Sequence, residues 1–238
     1  MRCVILQPSY IPWRGFFEQV LKADVFVFLD DVPFDRRGWR NRNRIKHPGG
    51  SLWLSIPVLN KGTRADRTPL HAIEIDWSQS WTHKHRETLR HAYRKAPHYD
   101  AYAARLDEFY ARRPRFLADL TIGLTVDLAA DLGITGTRFL RSSELTTAGE
   151  KTDRLLSILR PLGATHYLTG PSASSYLEEP KLAAAGISLE YMNYDYREYP
   201  QLHGAFDPQV SILDLIVMTG AAALSYITAP AGSALCPD

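Results

Sequence analysis

With 238 residues, 45% of them hydrophobic and 23% charged, the chain has the usage of a globular protein, which excludes a disordered or collagen-like polymer. Twenty-eight Lys and Arg against 26 Asp and Glu leave a formal net charge of +2, too small to make nucleic acid or an anionic membrane the expected partner. The length suits one domain burying roughly 70–75% of its unfolded surface, and the two cysteines, Cys3 and Cys236, stand in unlike contexts, which argues against a disulfide framework and for a reducing, cytoplasmic setting.

Residues 2–6 form a short apolar run with Val4 and Ile5, closed by Gln7-Pro8, and read as a buried strand. The run is far shorter than the apolar stretch of a secretory signal. Pro12 and Trp13 open a segment, 16–23, whose Phe16, Phe17, Val20 and Leu21 recur at helical spacing. Residues 24–30 make a second apolar strand, so a βαβ unit with a right-handed crossover is predicted. Residues 31–47 are polar and basic and predict a loop. Pro48-Gly49-Gly50 predicts a turn, 51–57 a strand, and the clean alternation of 71–76 a further strand. From 80 to 132 the pattern is helical, with breaks at Pro97 and Pro114, so three helices are expected.

Beyond Gly133, strands are predicted at 137–140, 166–170 and 187–191, and helices at 151–162, 171–177 and 179–185. Residues 213–228 are apolar, but this run of about 16 residues falls short of the ~20 that a membrane span needs, and it predicts a buried helix. Residues 229–238 read as a frayed tail. The expected fold class is α/β: one domain over 1–228, with a mostly parallel central sheet flanked by helices and a helical block inserted at about 80–132.

Open α/β sheets bind ligands beyond the carboxyl ends of their strands. Gln7, Ser9, Tyr10 and Trp13 follow the first predicted strand, and Asp30 and Asp31 the second. Thr169, Gly170 and Ser172 follow the strand at 166–170, and residues 193–196 the last one. Together they predict a polar small-molecule pocket. The start Gly170-Pro-Ser172 suits a carboxylate or phosphate, and equally an ordinary cap by Ser172. Arg36, Arg37, Arg40, Arg42, Arg44 and Lys46, interleaved with Trp39, Asn41 and Asn43, face Asp35 as their one acid. Such a stretch pairs guanidinium forks with phosphate, or forms a solvated face.

On a helix His83 and His85 point apart and make no metal pair, whereas His85 alone has the chemistry of a general acid or base, or a structural place. The spacing around Gly149-Glu-Lys-Thr152 is not that of a phosphate-binding P-loop. Cys3, at the beginning of its strand, belongs to the core rather than to a nucleophile's place. No metal site or cofactor is evident from the residues.

Several segments, taken together, resemble the WbqC-like protein family. Gln7-Pro-Ser-Tyr-Ile-Pro-Trp-Arg-Gly-Phe16 is similar to its opening motif, and Ala23-Asp-Val-Phe-Val-Phe-Leu-Asp-Asp31 to the segment that follows. Trp39-Arg-Asn-Arg-Asn-Arg-Ile-Lys46 with Trp53-Leu-Ser-Ile-Pro57 resembles two more, and matches continue through Tyr93-Arg-Lys-Ala-Pro97, Tyr167-Leu-Thr-Gly170, Tyr199-Pro-Gln201 and Ser211-Ile-Leu-Asp214. The resemblance implies a role in bacterial O-antigen, other polysaccharide or specialised-metabolite biosynthesis, as a transferase of acyl or aminoacyl groups, glycyl among them. By that analogy Gln7, Tyr10, Trp13, Asp30, Asp31, Asn41, Arg42, Asn43, Lys46, His85, Gln201 and Asp214 are the candidate functional positions, without assigned roles.

The leading expectation is therefore a transferase whose acceptor is deprotonated by His85 or Asp31, with Asp30 a further catalytic candidate, and whose donor phosphate meets the basic stretch. A small-molecule substrate and an acyl- or aminoacyl-carrier protein are the expected partners. One alternative is a nucleotide-binding or nucleotidyl-transferring enzyme, although Pro12-Trp-Arg-Gly15 lacks the histidines such enzymes place at the helix start. The other is a non-catalytic scaffold that uses Tyr194, Tyr196, Arg197 and Tyr199 as a partner surface.

Overall fold

A computed structural model describes residues 1–59 and 67–228. The predicted tail and Cys236 lie outside the described residues.

Strands β1 (Arg2–Leu6) and β2 (Val25–Phe28) are runs of consecutive apolar residues because both of their faces are covered. Val4, Phe26 and Phe28 enter one core, while Cys3, Ile5, Val25 and Val27 enter another on the opposite face. β1 pairs in parallel with β2 on one side and with β6 (His166–Thr169) on the other. β5 (Arg138–Arg141) and β7 (Ser188–Tyr191) complete a five-stranded parallel sheet in the order β5-β2-β1-β6-β7.

Helices α1 (Arg14–Lys22), α2 (Trp81–Tyr93), α3 (Tyr99–Ala111), α4 (Leu117–Asp131) and α7 (Ile212–Thr219) supply the first core. α5 (Lys151–Leu159) and α6 (Glu179–Ala184) supply the second. Helices on both faces of a parallel sheet make the fold doubly wound. The three helices expected from 80 to 132 are α2, α3 and α4, which follow one another ahead of β5 and share the first core with the sheet.

Three expectations are corrected. The basic stretch 31–47 is not all loop: residues 42–47 form β3 (Arg42–His47), antiparallel to β4 (Gly50–Ser55) across Pro48-Gly49. The alternating 71–76 segment is no strand. It holds a short 3-10 turn, Leu70–Ala72, and two isolated bridges, Val58 to Ile75 and Glu74 to Phe116, because no neighbour runs alongside it for a ladder. The apolar 213–228 run is α7 followed by a 3-10 segment, Gly220–Tyr226. Its break falls at Gly220, where φ is +53° and a Cβ would meet the His98 ring at 2.6 Å. No helix among the described residues is long and apolar enough to cross a membrane.

Candidate functional site

In this strand order the connection that leaves β1 runs to β2 on one side, whereas the one that leaves β6 runs to β7 on the other. The loops after β1 and β6 therefore diverge and leave a crevice at their carboxyl ends, where open α/β sheets take their ligands. A cavity of about 430 Å³ occupies that place. Gln7 and Ser9 from the loop after β1 and Thr169, Gly170 and Ser172 from the loop after β6 line it. Phe16 and Gln19 of α1, Trp39 and Arg40 before β3, and Tyr194 form further walls.

Local chemistry fixes those walls. Gly15 has no side chain because the Trp13 indole lies there; an added Cβ would sit 2.4 Å from that ring. Trp13 in turn meets Tyr194 edge-on with centroids 4.8 Å apart. The Tyr194 hydroxyl accepts from Gln19 Nε2 at 2.9 Å and stands 3.2 Å from where a Gly170 Cβ would project. Burial and the nearby Glu18 push the Tyr194 hydroxyl up to about 12, against the Gln19 hydrogen bond, so it stays protonated at neutral pH. Gln19 is buried, and its Oε1 has no hydrogen-bond partner among the described residues.

Arg40 is the one cation among the described lining residues, which include no Asp, Glu, His or Lys. Its Nη1 donates to Gln7 O and Ser9 Oγ, both at 3.0 Å. Burial lowers the guanidinium to about 10, with Asp35 acting the other way, so it remains charged at pH 7. A fixed guanidinium whose acidic neighbour, Asp35, lies outside the lining, set among Trp and Tyr rings and amide groups, is suited to a small molecule with an anionic group and a flat or ring-bearing body. Among the described residues no group of three or more His, Cys, Asp or Glu is placed to hold a metal.

The family model for WbqC-like proteins matches residues 7–226, from the pocket's Gln7 to the end of the last described helical segment. This chain belongs to the WbqC-like protein family. It is similar to a protein of Mycobacterium tuberculosis described as "Uncharacterized protein Rv1507c", with 37% identity over 229 residues that cover 95% of this chain and 97% of that one. No solved structure matches it.

In this WbqC-like chain, Gln7, Trp13, Asn43, Gly170 and Ser172 of the expected site residues come together at the pocket. Asn43 stands behind its wall: Nδ2 donates to the carbonyls of Tyr10 at 3.1 Å and Ile11 at 2.8 Å, bracing a backbone in which Ile11 has φ +37°. The remaining candidates lie elsewhere. Asp30 is fully buried and accepts from Arg141 Nε at 2.7 Å and from Ser143 N and Oγ at 2.9 Å. Burial alone would raise the Asp31 carboxyl, but hydrogen bonds from Ser142, Arg154 and Thr147 outweigh it and hold the group below its usual range. These two carboxylates tie β2 to the segment after β5.

His85 is 5% exposed and both of its ring nitrogens are engaged. The Ser55 carbonyl, 3.1 Å from Nε2, can only accept, so Nε2 carries the proton and Nδ1 accepts from the Tyr10 hydroxyl at 3.0 Å. Tyr110 completes the chain by bonding to Tyr10. Burial lowers the imidazole to about 4, against the Ser55 bond, so the ring is neutral at pH 7. His85, Asn41, Trp81 and Trp53 line a second cleft of about 590 Å³ between β4 and α2, away from the switch point.

Arg42 stacks over Trp53 at 4.6 Å on the outer face of the hairpin. Lys46 Nζ donates to Gln201 Oε1 at 2.9 Å and Gly204 O at 3.2 Å, which fastens the 201–207 segment to β3. Asp214 is buried and accepts from the Tyr93 hydroxyl at 2.8 Å; burial raises its carboxyl. Tyr199, expected on a partner surface, is buried, and Tyr196 bonds inward to Glu18. Tyr194, expected at the pocket among residues 193–196, lines it, as do Arg40 and Trp39, expected only as part of the basic stretch, and Gln19, which was not singled out. Arg40 was visible only as one arginine of a run, and Gln19 as a polar residue inside an amphipathic helix.

Proposed function

We propose that this WbqC-like protein is a transferase that holds a phosphate-bearing acyl or aminoacyl donor in the switch-point pocket and passes the acyl group to an amine or hydroxyl acceptor. The observation that carries the reading is Arg40, a guanidinium that forms no ion pair among the described residues and stands in a lining of aromatic rings and neutral amides. Its unused N–H groups would take the donor's phosphate. Trp13, Trp39 and Tyr194 would flank the body of the donor, and Gln7, Gln19 and Ser172 would orient it by hydrogen bonds.

The acceptor nitrogen or oxygen attacks the acyl carbon, the bond to the donor's leaving group breaks, and the acceptor's proton passes to the leaving group or to water. The described lining residues supply no imidazole or carboxylate for that proton. The protein's contribution is then orientation and charge, and orientation alone can supply a large part of a transfer rate. The second reading, a nucleotide-binding enzyme, is favoured by the strand order, because the crevice beside the central strand of such sheets is where nucleotides bind.

A thermal-shift screen with coenzyme A thioesters, nucleotides, nucleotide sugars and amino acids separates the two readings. Stabilisation by thioesters is expected. Arg40→Ala should weaken that binding about 10- to 100-fold, the size of a lost charge-assisted hydrogen bond, and Arg40→Lys should recover part of it. Stabilisation by ATP with Mg²⁺ and not by any thioester would replace the transfer reading with the nucleotide one.

A further inference from the structure

The hairpin that contributes Trp39 and Arg40 to the pocket carries a second, outward face. Its two-residue period sends Asn43, Ile45 and Leu54 into the core and leaves Arg42, Arg44 and Trp53 outside, with Arg44 paired opposite Trp53. Trp39 and Trp53 are 41% and 43% exposed, and their rings lie 5.0 Å apart. Arg42 covers Trp53 at 4.6 Å and Arg44 covers Trp39 at 5.9 Å. Leu52 is exposed on the same hairpin, and Tyr176 is exposed where it lines the pocket.

Residues 36–59 contain five arginines and Lys46 but no acid, in a chain whose net charge is only +2. Arg42 and Arg44 give their guanidinium hydrogen bonds to Gly38, Arg37 and Gln209, and among the described residues Arg37, Arg42 and Arg44 make no ion pair. Two arginines elsewhere in the chain are matched instead: Arg141 of β5 by Asp30 and Asp119, and Arg154 of α5 by Asp31.

An exposed pair of tryptophans ringed by arginines has the residue types that dominate protein–protein hot spots. Its charge calls for an acidic partner. Both indole rings already carry a guanidinium over a face, which leaves less ring face for stacked bases and disfavours single-stranded nucleic acid. Trp39 belongs to this patch and to the pocket wall at once.

We infer that this face docks an acidic carrier protein, and that the neighbouring pocket receives the phosphodiester-linked arm on which such a carrier bears its thioester; the arm's place rests on the transfer reading above. The phosphodiester meets Arg40. The acceptor amine attacks the thioester carbonyl, the C–S bond breaks, and the departing thiolate takes up the proton that the amine releases.

Calorimetric titration of the full chain with an acidic acyl carrier protein in its holo and apo forms, with coenzyme A and with a single-stranded oligonucleotide tests the inference. Holo carrier should bind at least tenfold more tightly than apo. The charge-reversed variant Arg37→Glu/Arg42→Glu/Arg44→Glu should weaken both carrier forms tenfold or more and leave coenzyme A unchanged. Should that variant misfold, Arg37→Glu alone and a salt series on the unmodified chain read the same electrostatics. Carrier binding that is lost on charge reversal, without any coenzyme A binding, upholds the docking face and overturns the transfer reading. Absence of carrier binding, carrier affinity indifferent to charge reversal and salt, or tighter binding of the oligonucleotide each overturns the docking face.

Discussion

A glycine can be as specific as the aromatic residue it accommodates. Gly15 sits in the first turn of α1, and its missing Cβ is the space the Trp13 indole fills. Alanine is normally better than glycine in a helix by about 1 kcal/mol. Here the new methyl group would lie 2.4 Å from the ring and must displace it from Tyr194. Gly15→Ala is therefore expected to lower the melting temperature despite its helix propensity, and to weaken pocket ligands about tenfold in the same thermal-shift assay.

At this scale the sequence reveals which side chains have catalytic chemistry, but not whether that chemistry is already spent. His85 has the right ring, yet both nitrogens are committed to Ser55 and Tyr10. Asp30 and Asp31 follow a strand as expected, yet they are occupied by Arg141, Arg154 and three hydroxyl-bearing neighbours. Those partners arrive from more than a hundred positions away, and no local pattern announces them.

Among the elements, β3 was the one hidden from periodicity. Its alternation is Arg-Asn-Arg-Ile, so the inward position 43 is an amide and not a hydrocarbon, and a hydrophobic count misses it. Residues 71–76 show the converse: a faithful alternation with no partner to form a ladder. The parallel strands were legible because burial on both faces demands unbroken apolar runs, which few other settings produce. Asn43 links the hairpin to the pocket through two buried carbonyls. Asn43→Ala strands both of them and should cost about 1–3 kcal/mol in urea denaturation, while loosening the Ser9 and Pro12 side of the cavity.

For the whole molecule, the buried imidazole predicts an acid limb in stability. His85 falls to about 4 in the folded chain from an ordinary value of 6.5, so between those values the unfolded state binds the extra proton. Stability is fully present above pH 6.5 and declines as pH drops toward 4, by roughly 3 kcal/mol at most from this group. His47 is also lowered, by its burial and by His91 and His203, and acts in the same direction. Asp31, whose folded value lies below its ordinary 3.8, is lost only at still lower pH. Urea midpoints measured from pH 7 to 4 should fall, and His85→Gln should flatten the slope; an unchanged slope would show that the imidazole is not the source.

β1 lies at the centre of the sheet with a partner on each side, and those partners are made at very different times. β2 leaves the ribosome soon after it, whereas the Thr165 hydroxyl just before β6 bonds to the Met1 carbonyl 164 positions earlier. During translation one edge of the strand carrying Cys3, Val4 and Ile5 therefore waits, apolar and unpaired, until β6 emerges roughly 8–30 s later at about 5–20 residues per second. Nascent chains halted before residue 166 should be the aggregation-prone species, and release of chains that include β6 should relieve it.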